Sequence, residues 1–217
     1  MDSNAMMSDN KKRESCYRFL AAWFYEPQKD LFAEVNLFEN LVNYLKDICP
    51  DAAVFADEMA AGIQAFTDEE LNVEYARLFM GPFNLIAPPY GSVHMEEGAR
   101  VMGESTMEVI DVYQKEGLAR SDNFKDLPDH IVVELEFMSY LLFKEREALQ
   151  KSDSETAGKY RDKQENFLEN YLQPWIRPFC GKISAGTENA FYSALAKCVS
   201  AYVLSSCACS QRSTQQV

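Results

Sequence analysis

The chain has 217 residues and carries 34 acidic and 21 basic side chains, which gives a net charge of −13. Apolar residues make up 47% and charged residues 25%, which is typical of a globular protein and excludes a disordered one. The negative charge repels nucleic acid phosphates and anionic lipids, so it disfavours nucleic acid binding and favours basic partners. No stretch reaches the roughly 20 apolar residues of a spanning helix, so we expect no stable membrane insertion.

The N-terminal segment 1–14 is polar and charged, without the apolar region of a secretory signal. Residues 3–6 resemble a cloning scar, so we give them no weight. Without an export signal, scattered cysteines indicate reduced thiols rather than a disulfide framework. We therefore expect a cytoplasmic protein. The six cysteines are Cys16, Cys49, Cys180, Cys198, Cys207 and Cys209.

The sequence predicts an all-α fold, because apolar residues recur at helical spacing and no run alternates with period two. One helix start is especially clear, since Thr67 and Glu70 fit a capping box. Proline and glycine mark most of the remaining ends. The predicted helices are a first segment that stops at Glu26-Pro27, followed by 31–48, 67–80, 96–116, 128–149, 156–172 and 187–206.

The polar stretch 119–127 is predicted to be a hinge between an N-terminal helical half, 1–118, and a C-terminal half, 128–217. Exchange of one half between two copies is a low-cost route to a dimer when only the hinge must change. We therefore expect a monomer with a slowly exchanging, domain-swapped dimer fraction.

The segment 82–93 is apolar yet rich in proline, which excludes a helix interior. One interpretation is a buried connector whose aromatic side chains fill gaps in the core. The other is a binding surface, in which Phe83, Leu85, Pro89 and Tyr90 line a groove for an apolar peptide; a stiff loop loses little entropy on binding. Composition does not decide between them.

A second group begins at Pro128-Asp129-His130 and includes Glu134 one helical turn later. Proline favours the first turn of a helix, so we expect Asp129 and His130 at an exposed helix start, near the positive end of the dipole. A metal site needs three or four ligands, and the only other histidine is His94, so the spacing does not favour a metal. No nucleophile motif accompanies the pair.

Taken in order, these segments resemble the TorD/DmsD family of cytoplasmic chaperones for molybdenum redox enzymes. The resemblance covers roughly residues 14–200 and rests on an ordered set of motifs. They are Glu74-Tyr75-Ala76-Arg77-Leu78-Phe79-Met80-Gly81-Pro82, Ala87-Pro88-Pro89-Tyr90-Gly91-Ser92-Val93, Met102-Gly103-Glu104, and Pro128-Asp129-His130 leading into Glu134-Leu135-Glu136-Phe137-Met138.

The resemblance implies a helical bundle without catalytic activity or cofactor. Such a chaperone binds the twin-arginine signal peptide and the apo-form of a molybdenum oxidoreductase and delays its export until the cofactor is inserted. Tyr75 and Tyr90 stand where relatives often have tryptophan. The implied peptide-binding residues are Tyr75, Leu78, Phe79, Pro89, Tyr90, Asp129 and His130.

Two alternatives stay open at this point. A small helical metal-dependent hydrolase would use Asp129, His130 and Glu134. A generic helical adaptor would bind a protein partner that has no signal peptide. The excess of negative charge beside an apolar loop agrees with a basic, partly apolar peptide as the ligand.

Overall fold

The computed structural model describes residues 3–29, 36–81, 85–119 and 126–214, with side chains from 5 to 205. Those ranges are helical and contain no β-strand, so the all-α prediction is confirmed; one isolated antiparallel bridge joins Tyr90 and His130. The described α-helices are α1 Ser3–Ala22, α2 Leu37–Ile48, α3 Pro50–Ile63, α4 Asp68–Tyr75, α5 Gly91–Met95, α6 Glu104–Lys115, α7 Ile131–Gln150, α8 Ser154–Phe167, α9 Gln173–Gly186 and α10 Ala190–Thr214.

Two of the longer helices, α3 and α9, were absent from the prediction, and both have a proline in their first turn. Pro50 is the first residue of α3, and α9 has Pro174 in its first turn and Pro178 inside it. A proline at a helix start loses no hydrogen bond, because the first N–H groups have no partner within the helix. The predicted capping box at Thr67 is confirmed, with reciprocal bonds to Glu70.

The helix predicted over 96–116 begins only at Glu104. Gly98, Ala99 and Met102 have φ values of 78°, 52° and 59°, in the left-handed region that ends a helix.

Two other elements continue through π-helical turns: α4 through Ala76–Met80 and α8 through Leu168–Leu172.

Other predicted bounds also shift. The predicted helix 31–48 begins at Leu37 within the described part, and residues 30–35 lie outside it. α1 begins at Ser3, inside the segment set aside as a scar, and α7 begins at Ile131 rather than at Pro128. The end of the proline-rich segment, predicted as loop, forms α5.

One hydrophobic core draws on helices from both predicted halves. α1 packs along α7, and α3 packs along α10. The α1–α7 contact includes an ion pair between Glu14 and Arg146, 2.9 Å apart. Of the predicted hinge 119–127, residues 120–125 lie outside the described part.

Four cysteine thiols, those of Cys16, Cys49, Cys180 and Cys198, are free and buried. This agrees with the expectation of reduced cysteines for that part of the chain. The side chains of Cys207 and Cys209 lie outside the described residues. Within the described ranges no helix is both long and apolar enough to cross a membrane.

Candidate functional site

The two segments singled out in the sequence meet in space. The backbone N–H of Gly91 donates to the carbonyl of Asp129 at 2.9 Å, and the N–H of Ile131 donates to the carbonyl of Pro89 at 2.9 Å. This short antiparallel pairing joins the proline-rich segment to the start of α7. Residues almost 40 positions apart therefore form one local structure.

Asp129 is buried, with 1% of its surface exposed, so the expectation of an exposed helix start was wrong. α7 begins two residues later, and the Asp129 carboxylate serves a different helix: its Oδ2 accepts the N–H of Ser92 in α5 at 2.8 Å. Its Oδ1 has no hydrogen-bond partner among the described residues. The carboxylate thus fixes α5 against the start of α7.

His130 is the N-cap of α7. Its Nδ1 accepts the N–H of Val132 at 3.2 Å, so that nitrogen carries no proton. Burial lowers the pKa of His130 to about 4, against the opposing charges of Asp126 and Asp129. The ring is therefore neutral at physiological pH and acts as a cap.

Glu134 lies one turn into α7 and is also buried. Its Oε2 accepts the indole N–H of Trp175 at 3.0 Å, and burial raises the pKa of its carboxyl well above the usual range. A Cβ on Gly91 would lie 3.0 Å from the Trp175 Nε1 and 3.2 Å from the Glu134 Oε1. The glycine therefore allows the proline-rich segment to approach these side chains closely.

These contacts do not resemble a metal centre. Glu134 is bound to Trp175, and the His130 Nδ1 is occupied by a backbone N–H. Across the part of the chain that the structure describes, no group of three histidine, cysteine or acidic side chains is arranged to hold a metal ion.

Over its described part, 85–90, the proline-rich segment is partly buried: Ala87 and Pro89 are buried, and the other four residues are half-buried. The N–H of Ala87 donates to the carbonyl of Leu78 at 3.0 Å, and the His94 Nε2 lies 2.8 Å from the Pro88 carbonyl oxygen. The His94 ring stacks on Trp175, with ring centres 5.6 Å apart. Phe83, one of the residues proposed to line a groove, lies outside the described residues.

The predicted residues on α4 and its π-helical turn belong to the core. Tyr75, Leu78 and Phe79 are buried, and the Tyr75 hydroxyl donates to the Phe24 carbonyl at 3.0 Å. Pro89, Asp129 and His130 are buried as well, whereas Tyr90 is only partly buried. Peptide contact by the seven residues stays a prediction.

The Met102-Gly103-Glu104 motif begins α6 in an unusual way. The Glu96 carboxylate folds over Gly103 and accepts both the N–H and the hydroxyl of Ser105, at 2.9 and 2.7 Å. A Cβ on Gly103 would lie 1.6 Å from a Glu96 carboxylate oxygen, so only glycine permits this arrangement. A carboxylate at this position also interacts favourably with the helix dipole.

An apolar groove runs between α6 and α7, beside the paired motifs, with a volume of about 630 Å³. We call it the α6–α7 groove. Sequence reasoning missed this groove because its two walls lie on different helices. Each wall shows helical spacing, but no local sequence pattern indicates that the two walls face each other. Its lining residues are Met102, Ile110, Tyr113, Gln114, Leu118, Ala119, Pro128, Val133, Glu136, Phe137 and Tyr140.

The two ends of the α6–α7 groove differ in charge. At one end, Glu136 accepts the Tyr25 hydroxyl at 3.0 Å, and nearby Asp126 accepts the Tyr90 hydroxyl at 3.1 Å. Neither carboxylate forms an ion pair with any lysine or arginine that the structure describes. Among the described residues, this end of the groove is therefore acidic and has no neutralising cation.

At the other end, around Tyr140, the charges are balanced. Lys163 pairs with Glu116 at 2.5 Å, and Lys144 pairs with Glu147 at 2.7 Å. As far as the described residues show, the groove is thus apolar along its length, with unneutralised carboxylates at one end.

Comparison with known proteins places this geometry in context. The family model described as nitrate reductase delta subunit matches residues 45–181. The chaperone protein TorD of Vibrio parahaemolyticus is 27% identical over 200 residues, which cover 89% of this chain and 92% of that protein. The Tat proofreading chaperone DmsD of Haemophilus influenzae is 25% identical, covering 81% of this chain and 80% of that protein.

Two further similarities agree. The selenate reductase assembly chaperone of Thauera selenatis is 28% identical over 145 residues, which cover 65% of this chain and 72% of that protein. A crystal structure from Archaeoglobus fulgidus, described as a redox enzyme maturation protein, has the same fold with a TM-score of 0.51. It is 24% identical and the match covers 86% of this chain and 91% of that one.

Proposed function

This chain belongs to the TorD/DmsD family of redox-enzyme maturation chaperones, and on that basis we propose that it binds the twin-arginine signal peptide and the apo-form of a molybdenum oxidoreductase. We further propose that it acts in the cytoplasm and delays export of its client until the cofactor is inserted. The observation that carries the proposal is the α6–α7 groove, which is apolar along its length and acidic at one end.

A twin-arginine signal is a basic segment followed by an apolar run. The apolar side chains need a groove in which they lose contact with water. The arginines need carboxylates that are not already neutralised. Both requirements meet in the α6–α7 groove and its acidic end, in a chain whose net charge of −13 attracts a basic peptide from a distance.

The paired motifs have a supporting role in this proposal. Tyr90 is partly exposed and its hydroxyl reaches Asp126, so it is placed to touch the client. The buried members of the predicted set, among them Asp129 and His130, hold Tyr90 and Pro128 in position. Tyr90→Ala is therefore expected to weaken peptide binding while the fold is retained.

The direct test uses the purified chain and a synthetic peptide with two adjacent arginines and an apolar run. Calorimetric titration should give saturable binding. A matched peptide with both arginines replaced by glutamine should bind more weakly, and a scrambled apolar run should bind least. A chain that binds none of these peptides would contradict signal-peptide recognition.

The rival hydrolase is not supported, since the named relatives are chaperones and the chain is not an enzyme. A generic adaptor would differ from the proposed chaperone in its client, because its partner would have no signal peptide. Capture from cells should recover a redox enzyme that lacks its molybdenum cofactor. Recovery of a protein that has no signal peptide, or equal recovery of the same enzyme after its signal peptide is deleted, would favour the adaptor.

We also propose the exchange of the two predicted halves, 1–118 and 128–217, between copies. In one chain α1 packs on α7 and α3 on α10, so a swapped dimer would reuse the same contacts between two chains. Size-exclusion chromatography with light scattering should give a monomer and a minor dimer that redistribute after mild denaturation and refolding. Peaks that never redistribute would contradict the exchange.

A further inference from the structure

The charge difference along the α6–α7 groove assigns a direction to its occupant, an inference that rests on the proposed function. We propose that the client segment lies along the groove with its basic residues at Glu136 and Asp126 and its apolar run toward Tyr140. Glu136 thus becomes the residue that distinguishes arginine from an uncharged side chain.

The wall on α7 has a simple geometry. Val133, Glu136, Phe137 and Tyr140 are spaced at i, i+3, i+4 and i+7, so they lie on one face of the helix. Four residues at about 1.5 Å each place Glu136 roughly 6 Å from Tyr140 along the helix axis, the length of about two extended residues of a peptide. A client with a basic residue at Glu136 therefore brings the residues next to it in sequence to Tyr140.

The acidic end can receive a cation. Glu136 is exposed, and the Tyr25 side chain whose hydroxyl it accepts is itself 44% exposed. A guanidinium can bind a carboxylate through two parallel N–H groups and stack on an aromatic face, and both partners are present here. At the opposite end Glu116 and Glu147 already have lysine partners, so a second cation gains little there.

Asp129 is a poorer receptor than Glu136. Its Oδ2 is bound to the Ser92 N–H, and the residue is 1% exposed. A client arginine would reach it only by separating the two paired motifs. Glu136 needs no such rearrangement.

The experiment is a cycle of two proteins and two peptides. The peptides are the twin-arginine peptide and its double-glutamine counterpart, and the variant is Glu136→Lys. The wild-type chain should prefer the arginine peptide by about tenfold or more, the scale of hydrogen bonds to a charged group. Glu136→Lys should remove most of that preference, measured as the ratio of the two affinities.

A matched control keeps the same change in net charge. Asp57→Lys lies on α3, outside the groove, at a side chain that is 59% exposed. It should keep the preference for arginine, which separates local recognition from overall charge. Glu136→Gln is a milder second variant, with an intermediate loss of preference.

Direction is tested at the other end of the groove. Tyr140→Ala should weaken both peptides by the same factor and keep the ratio between them. If the ratio instead disappears in Tyr140→Ala and survives in Glu136→Lys, the proposed direction is overturned. If the wild-type chain prefers arginine and every Glu136 variant keeps that preference in full, the assignment is wrong while the proposed function stands; a wild-type chain that binds neither peptide overturns the proposed function itself.

Discussion

The backbone N–H of Ser92 donates to the Asp129 Oδ2 at 2.8 Å, across 37 positions of sequence. This bond, with the two backbone bonds beside it, joins α5 to the start of α7. A residue that the resemblance implies in peptide binding is thus also a structural contact between two helices. Variants of Asp129 must therefore be examined for stability as well as for binding.

Asp129→Ala should lower the free energy of unfolding by about 1.5–3 kcal/mol, because it leaves the buried Ser92 N–H without its charged acceptor. Asp129→Asn keeps an acceptor oxygen and should cost less. Urea denaturation measures both. Asp51→Ala, an exposed carboxylate in the first turn of α3, is the control and should change stability much less; equal losses at the two positions would contradict the role assigned to Asp129.

The His130 cap should make stability depend on pH. Its pKa is about 4 in the folded chain, whereas an unperturbed histidine ring has a pKa of 6.5. Between these values the unfolded chain binds more protons, so the stabilisation is complete above about pH 6.5 and is lost as the pH falls toward 4. His130→Asn keeps an N-cap without a titrating ring. Its stability should vary less over that window, and an unchanged pH profile would contradict the assignment.

The contribution of Glu134 to stability should have the opposite dependence on pH. Burial raises the pKa of its carboxyl above 4.5, so the folded chain keeps a proton that the unfolded chain releases. Stability from this group is therefore present below about pH 4.5 and declines as the pH rises toward the folded pKa. Glu134→Gln keeps an oxygen for the Trp175 N–H and should be relatively more stable at the higher pH. The free energy of unfolding of the wild type, minus that of the variant, should fall as the pH rises. A difference that does not change with pH would show that Glu134 does not titrate with folding.

Gly103→Ala should destabilise the chain, because its Cβ would displace the Glu96 carboxylate that caps α6. We expect a loss of about 0.5–2 kcal/mol, the scale of a lost helix cap, because the half-buried, flexible Glu96 side chain can move aside. The loss should shrink in a Glu96→Ala background, where the clash is absent. Gly158→Ala in α8 is the matched control: nothing lies within 4 Å of its Cβ, and in a helix interior it should stabilise the chain. A similar effect at both glycines would contradict the contact with Glu96.

Binding of the twin-arginine peptide should weaken steeply with salt, since surface charges are screened beyond about 8 Å at physiological ionic strength. The motivating fact is the net charge of −13 together with the acidic groove end. Titrations at low and high salt measure the effect. The double-glutamine peptide should show a much smaller dependence, and equal salt slopes for the two peptides would remove the electrostatic part of the explanation.

Much of the fold could be predicted from local patterns. The capping box at Thr67 and the proline-rich break after α4 were identified from neighbouring residues, because their physical causes are local. Two of the helices that were missed, α3 and α9, have proline in their first turns, and a local rule treats proline as an end as readily as a beginning. The break before α6 was missed too, since Ala99 and Met102 do not favour positive φ by themselves.

The sequence by itself determined that the chain is helical and negatively charged, and its ordered motifs identified the family. Only the tertiary structure decided that Asp129 is buried against Ser92, that Glu134 meets Trp175, and that Glu136 lies in an apolar groove without a lysine or arginine partner among the described residues. The reason is physical: helical spacing and capping depend on residues within one or two turns. Burial, the pKa of a carboxyl and the shape of a groove depend on residues that packing brings together from distant parts of the chain.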